Sequence, residues 1–507
     1  MNASRFHTGS LAFALLLSLA ACGCGGDSSP LQLGHGSVST LAYVVSHCHE
    51  NSKFETASQR LEVARGDGAP VTVAEIPTFG RLPALGLCPL YGAFRAGSIS
   101  VFGFAFQRLG VSPDGSGVVF EVNFRNSIVA GLVRDPLTPE QEGIFFVGAD
   151  NRVRKLGPPS GEPAQRLGGI PSPTMPTVAT YSNTTLPFSP DGKTIVFPDR
   201  GPGPAGEDAA QVVVLDIAKG TRTAVTQLPA TAPDPSNPTT PAIYWYGFID
   251  DETIGFSSRA NPADPTHPDG LNPEGIFRTF TVKKDGTGLM VFPEFVPQAI
   301  GGGFVPVPTI TNPVRSGDVG ALSVMGTPLN LPPFLPYDAP VSEIFVTAPD
   351  HTLQLTNFGR FDTGAALVSS DGQRVFFTAS ANPSELHNSN PSENYQIFSI
   401  SVLGNDLRQL THFRAADHST FGCYAAVPLD QPGCFIDGLL YDPQTQTLLF
   451  DSSCDPFGTN PAGDQIFAMH PDGMNLHELT AVQGVTPQTD GSVDVELPGP
   501  VAITQSF

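Results

Sequence analysis

The stretch PFSPDGKTIVFPD, residues 187–199, joins a tight turn to a short strand. In Ser189-Pro190-Asp191-Gly192, Pro fixes φ at the first central position, Asp bonds nearby backbone, and Gly enters the left-handed region without a clash. Ile195 and Phe197 then fall on alternate positions, as on a strand with one buried face. The pattern recurs. Ser112-Pro113-Asp114-Gly115 precedes Val118 and Phe120, and Ser370-Asp371-Gly372 precedes Val375 and Phe377, at the same offsets. Looser copies set Ile254 and Phe256 after Asp250-Asp251, and Leu448 and Phe450 after Asp442-Pro443-Gln444-Thr445. A faint further copy lies near Arg315-Ser316-Gly317.

After a variable loop, each strand is followed by a second apolar pair: Ile144-Phe145, Val212-Val213, Ile276-Phe277, Ile344-Phe345, Ile397-Phe398 or Ile466-Phe467. Several pairs run into a closing turn and strand, as in DGMNLHELT from Asp472, GNDLRQLT from Gly404, PDHTLQLT from Pro349 and KDGTGLMVF from Lys284. Each unit therefore reads as four short antiparallel strands. LAYVV, QRLEVAR and VTVAEI, between Leu41 and Ile76, supply three strands of an incomplete first unit. VDVELPGPVAI, Val493 to Ile503, has the alternation to supply the missing innermost one and close a ring. The expected fold is all-β, a single β-propeller of about seven (six to eight) four-stranded antiparallel blades over residues 40–503.

SPDGKTIVF, with the later I-F…DG…LT strands, resembles the repeat of TolB-type β-propellers, also found in the propellers of prolyl-oligopeptidase-like enzymes. The resemblance implies the fold. Serine peptidase activity is not expected, because the G-x-S-x-G of those peptidases does not occur in this sequence and no stretch of roughly 200 residues is left for a hydrolase domain. The extra domain that TolB carries before its propeller is not expected in residues 23–39. GGGF at Gly301 lacks the Lys-Ser/Thr of a phosphate loop and reads as a turn.

Composition agrees with many short strands and turns: 53 Gly, 50 Pro and 35 Phe among 507 residues, with 15% charged. The formal charge of −22 and the absence of a Lys/Arg cluster argue against nucleic acid or an anionic lipid surface as partner. At the start, Arg5 precedes the apolar LAFALLLSLA, which is too short to span a bilayer. Leu19-Ala20-Ala21-Cys22 resembles the bacterial lipobox. That resemblance implies a lipoprotein signal peptide at 1–21, acylation of Cys22, and a flexible tether over 22–39. Gly23, in place of the Asp that retains many such proteins on the inner membrane, points to the outer membrane of the bacterial cell envelope. The alternative is an ordinary secretory signal with an incidental Cys.

Strand direction separates two faces. With strands A to D running outward, the A-to-B and C-to-D turns share one tight face, while the B-to-C and D-to-A connections share the other. The B-to-C loops are read as SHCHENSKFETAS from Ser46, DRGPGPAGEDAA from Asp199, SSRANPADPTHPDGLNPEG from Ser257, TASANPSELHNSNPSEN from Thr378 and DSSCDPFGTNPAGD from Asp451. Long loops on a rigid scaffold commonly bind; drift in length at small entropic cost is the plainer account. Cys48, Cys88, Cys423, Cys434 and Cys454 are all read as loop residues and as disulfide candidates, with at least one left unpaired or joined to Cys24. Connectivity is open.

No metal site is expected, although His47 and His49 in His47-Cys48-His49-Glu50 would form one if they shared a side with a carboxylate from another blade. No cofactor is expected either, apart from Ca²⁺ at loop carboxylates such as Asp264, Asp269 and Asp455, which lack EF-hand spacing. The function expected is a lipid-anchored extracytoplasmic binding or scaffold protein that engages an envelope protein or glycan through its loop face. The alternative is a polymer-degrading lyase or hydrolase with its site at the channel mouth.

Overall fold

In four of the repeats the Phe that follows the turn meets a second Phe directly across the strand pair, while Phe197 opposes Val213. Phe120 opposes Phe145, Phe256 opposes Phe280, Phe377 opposes Phe398 and Phe450 opposes Phe467. Their rings stack at centroid separations of 5.1, 5.5, 5.7 and 5.6 Å, an arrangement worth ~1 kcal/mol beyond burial. The repeated aromatic thus pins the register of strand B against strand C. A slip of one residue would turn both rings to the opposite face.

The structure is a computed structural model. It describes residues 39–50, 54–66, 68–76, 81–83, 106–123, 138–162, 187–231, 242–292, 304–306, 314–316, 319–328, 341–348, 351–358, 363–391, 393–414, 436–452, 454–459, 465–490 and 492–504. All lie in the unit Leu33–Phe507. They form seven antiparallel sheets, the blades of a propeller, with no α-helix among them.

In chain order, blade 2 contains strands Phe106–Val111, Val118–Val122, Gly143–Val147 and Val153–Gly157. Blade 3 contains Thr194–Pro202, Asp208–Asp216 and Thr221–Ala224, and blade 4 contains Ile243–Phe248, Thr253–Ser258, Arg278–Lys283 and Met290–Val291. Blade 5 has an interrupted strand A, Phe304–Pro306 and Val314–Ser316, followed by Val319–Pro328, Val341–Ala348 and His351–Gln354. Blade 6 is Thr363–Val368, Arg374–Ala379, Gln396–Ser401 and Arg408–Gln409; blade 7 is Ile436–Asp442, Thr447–Ser452, Gln465–Met469 and His477–Glu478.

Blade 1 joins both ends of the chain. Val493–Ile503 pairs with Thr40–Glu50, which pairs with Phe54–Arg65, which pairs with Val71–Ile76. The C-terminal segment is therefore the innermost strand of the first blade, as its alternation predicts. Its prolines fall beside a register shift between Tyr43 and Val45. Similar irregularities mark strand A against strand B in blades 2, 4, 6 and 7, where a bulge adds local twist.

Apolar cores lie between blades. Leu41, Tyr43, Val45 and Ile503 of blade 1 pack with Leu449, Ile466 and Ala468 of blade 7, which closes the ring. On the other side of the same sheet, Ala42, Val44 and Leu61 pack with Leu109, Val118 and Phe120 of blade 2. Blades 2, 3 and 4 share one cluster, and blade 6 shares clusters with blades 5 and 7.

In blade 3 the described residues form three strands, with a bridge from Phe188 to Ile195 at the inner position. Three sequence expectations need correction. Strand C of blade 4 begins at Arg278, so the core aromatic is Phe280 rather than the pair Ile276-Phe277, of which Ile276 is exposed. DRGPGPAGEDAA is mostly a hairpin, with only residues 203–207 between its strands. SHCHENSKFETAS is likewise a hairpin, its strands running to Glu50 and from Phe54. It reads as a loop because its polar residues carry no local strand signal; its partners at 493–498 lie at the far end of the chain.

Candidate binding surface

The tight face is built by self-contained brackets. Ser112, Ser189 and Ser369 each donate an Oγ hydrogen bond to Oδ1 of the Asp two positions on, Asp114, Asp191 and Asp371, at 2.6, 2.6 and 2.5 Å. The same Oγ accepts a backbone N–H from Gly117, Thr194 and Arg374. Gly115, Gly192 and Gly372 follow with φ of 70°, 69° and 68°. The serine bonds, ahead of the opposing effect of burial, hold all three carboxyls below the usual Asp range. These turn carboxyls bond within their own turns, while the carbonyls of Pro113 and Gly115 also accept from Gln444 of blade 7 and from Thr40 and Arg65 of blade 1.

A second bracket links strands C and D. Thr226, Thr411 and Thr480 each donate to the buried Oε1 of Gln211, Gln396 and Gln465 while accepting the N–H of Val212, Ile397 and Ile466. Thr356 does the same with Glu343 and Ile344. This explains the recurrent Leu-Thr. The signal that sequence reading missed was the Gln or Glu just before four of the six apolar pairs, at 211, 343, 396 and 465.

On the opposite face, the loops of blades 4 and 6 prove to be two copies of one structure. Ala260-Asn261-Pro262 and Ala381-Asn382-Pro383 open them; Asn272-Pro273 and Asn390-Pro391 close them. Asn272 donates its backbone N–H to Asn261 Oδ1 at 2.6 Å and its side-chain amide to the carbonyls of Ala260 and Ile276. Asn390 repeats this with Asn382 Oδ1, Ala381 and Asn394. Both closing asparagines are buried, at 0% and 2% exposure. The buried Asn clamps the base, while residues 263 and 265–269 or 384, 385, 387 and 388 stay exposed at the tip. The blade 7 loop starts in the same way: Cys454 donates its N–H to Ser452 Oγ as Ala260 does to Ser258 Oγ.

The blade 6 loop borders a cleft of about 530 Å³, lined by Gln354, Asn357 and Phe358 after strand D of blade 5 and by Asn382, Ser384 and Glu385 of the loop, among others. His387, Asn388 and Glu393 in this loop adopt left-handed φ of 54°, 65° and 52°. Non-glycine residues hold that conformation only where the surroundings over-determine it.

Between blades 2 and 4 lies a buried charged network. Arg108, 1% exposed, pairs with the fully buried Glu121 and donates through Nε to Tyr246 Oη at 3.0 Å. It also donates to the Glu162 carbonyl, and Glu121 accepts the Ser160 N–H at 2.7 Å. Burial opposes the guanidinium charge, but Glu121 and Tyr246 outweigh it and keep Arg108 protonated. Arg108 and Tyr246 come from the inner strands of blades 2 and 4.

The remaining candidates are dispersed. Cys48 lies in a strand, opposite Ala57 and Val495, and not in a loop. Cys454 is fully buried and disulfide-bonded. Cys22, Cys24, Cys88, Cys423 and Cys434 lie outside the described residues. Asp264 caps its own turn, accepting the Thr266 N–H and Oγ1–H, and its exposed carboxyl is lowered first by that Thr266 bond. Asp269 contributes its carbonyl to Asn261, and Asp455 sits near Glu478, whose carboxyl is raised by burial and by that neighbour. His47 Nε2 lies 3.6 Å from Asp494 Oδ1.

No protein-family model matches this chain, and no curated protein does. Similar solved structures include an oligogalacturonate lyase from Vibrio parahaemolyticus, 11% identical over 83% of this chain and 90% of that one, with a TM-score of 0.42. The β-propeller domain of the Trilobed protease from Pyrococcus furiosus is 10% identical over 88% and 93%, also at 0.42. A protein assigned as TolB from Agrobacterium tumefaciens is 14% identical over 91% and 99%, at 0.29.

Proposed function

We propose that this chain is a lipid-anchored, extracytoplasmic propeller of the TolB type that works as a binding or scaffold protein, docking an envelope protein or glycan on its loop face. The observation that carries the reading is the duplicated Asn clamp of blades 4 and 6. It fixes the bases of two long loops and holds their exposed tips ready, which lowers the ordering cost of binding. The adjoining cleft adds amide, hydroxyl and carboxylate groups beside the Phe358 ring. A formal charge of −22 makes a polyanionic partner unfavourable. In this proposal Cys22 carries the lipid and residues 22–39 tether the propeller to the outer membrane.

The test is capture of envelope components by the purified chain, followed by affinity measurement on the recovered partner. Replacing Ser384 and Glu385 together by Arg should weaken binding at least ~10-fold, about 1.4 kcal/mol. Lys193→Glu, on the tight face, should leave it unchanged. Equal loss in both variants, or in neither, overturns the loop-face assignment.

His47 beside Asp494 favours a second reading, a polymer-cleaving lyase or hydrolase at the channel mouth. Bond cleavage in a panel of neutral and acidic polysaccharides, lost in His47→Gln, would replace the binding reading with this one.

A further inference from the structure

The groups that line the cleft beside the blade 6 loop fall into two sets. Those on its inner side are committed to the fold. Thr356 donates to Glu343 and accepts the Ile344 N–H, and Gln354 Nε2 donates to the Thr356 carbonyl at 2.7 Å. Asn382 donates to Asn388 Oδ1 at 2.5 Å while its own Oδ1 accepts the Asn390 N–H. Phe358 is half-buried, its ring backed by Phe377 and Phe398 at centroid separations of 6.2 and 6.3 Å.

At the rim the opposite holds. Asn357, Ser384 and Glu385 are exposed, and among the described residues their side chains hold no hydrogen bond. The cleft thus offers one fixed aromatic ring and, around it, an amide, a hydroxyl and a carboxylate with unused bonding capacity. Its walls need little ordering on binding, because Asn390 clamps the loop base and His387 and Asn388 hold the tip in a left-handed conformation. A volume of about 530 Å³ lies within the range of small-ligand sites.

This set selects by chemistry. A pyranose has an apolar C–H face that covers an aromatic ring, and an edge of hydroxyls that both donate and accept. Two neighbouring hydroxyls can donate together to one carboxylate, and such charge-assisted bonds are stronger than neutral ones. An acidic sugar would set its own carboxylate beside Glu385, in a chain of formal charge −22. Among the described residues lining the cleft Glu385 alone is charged, and one exposed carboxylate attracts a basic peptide only weakly.

We propose that this cleft binds one neutral sugar unit of a glycan, stacked on Phe358 and held at its hydroxyl edge by Asn357, Ser384 and Glu385. The proposal rests on the loop-face docking reading above and narrows its ligand to uncharged carbohydrate.

Calorimetric titration of the full chain tests it, with neutral tetrasaccharides of gluco, manno, galacto and N-acetylglucosamine type and with their uronic-acid counterparts. At least one neutral series should bind at one equivalent, at least ~10-fold more tightly than its uronic-acid form. Phe358→Leu, which keeps an apolar side chain against Phe377 and Phe398, should lose ~10-fold. Ser384→Ala should lose ~3-fold and melt as the parent does. Glu385→Gln should weaken the neutral sugar ~5-fold and bring neutral and uronic-acid affinities together, a change that a purely structural role would not produce. Lys193→Glu, on the tight face, should bind as the parent does. The assignment is overturned if no neutral sugar binds, if binding is unchanged in both Phe358→Leu and Glu385→Gln, or if a Lys-rich peptide binds in preference. In that event a protein partner captured through Ser384 and Glu385 would keep the loop-face reading while the sugar site falls.

Discussion

The two faces of this propeller are built by opposite strategies. On the tight face, Ser189, Asp191 and Gly192 satisfy one another within a few residues, and the same bracket recurs at Ser112 and Ser369. On the loop face, Asn272 and Asn390 reach back 11 and 8 residues to close the bases of long loops, and at the seam blade 1 exists only when residues 493–503 meet 40–50. Local brackets make copies legible and interchangeable. The clamp recurs in blades 4 and 6, but the tips it holds differ in length and sequence.

The largest expected effect separates local from distant order outright. Deleting residues 490–507 removes the inner strand of blade 1 and uncovers Leu41, Tyr43 and Val45. The truncated chain should lose cooperative thermal unfolding; an unchanged melt by calorimetry would show that closure is dispensable.

Arg108→Ala comes next. It leaves Glu121 buried without its counter-charge, a loss of about 3–5 kcal/mol. Denaturant titration measures it, and Glu121→Gln in the same chain should recover part of the loss. If Arg108→Ala is neutral, the contact between the inner strands of blades 2 and 4 does not rest on this pair.

Asn390→Ala against Asp371→Ala compares the faces directly. Asn390 is buried, and its side chain donates to the carbonyls of Ala381 and Asn394 and accepts from Gln396 Nε2, so its loss should cost about 1–3 kcal/mol. Asp371 lies at an exposed turn and should cost about 0.5–1.5 kcal/mol. The reverse order by chemical denaturation would contradict the clamp.

The smallest effect is in pH. Asp114, Asp191 and Asp371 have folded pKa values below the ordinary Asp range, chiefly through the serine hydroxyl bonds. Their stabilisation is complete above the unfolded value of ~3.9 and disappears as pH falls through the folded values. A triple Asp→Asn variant should therefore melt below the parent at pH 6, with the gap closing toward pH 2. A constant gap would show that charge plays no part in the turns.

Much of this could be read from residues alone. The turn at Ser189-Gly192 and the alternation of Ile195 and Phe197 foretold strands A and B, and the Leu-Thr endings foretold strand D. The pairing of Val493–Ile503 with the first unit was legible from its apolar alternation. The His47–Glu50 stretch was not, because a polar strand carries no burial pattern and its partners lie more than four hundred residues away. The clamp was written twice, in ANP…NP, but repetition without apolar periodicity reads as loop composition. Arg108 gave no warning, since a lone Arg in FQRLGV does not reveal a buried Glu and a Tyr from two blades on.

Sequence by itself determined the repeat, because each turn and each facing Phe pair is specified by neighbours within one blade. Tertiary structure alone decided the blade number, the contact of Arg108 with Tyr246, and the meeting of His47 with Asp494. Those depend on ring closure, which brings together groups whose separation along the chain leaves no local physical trace.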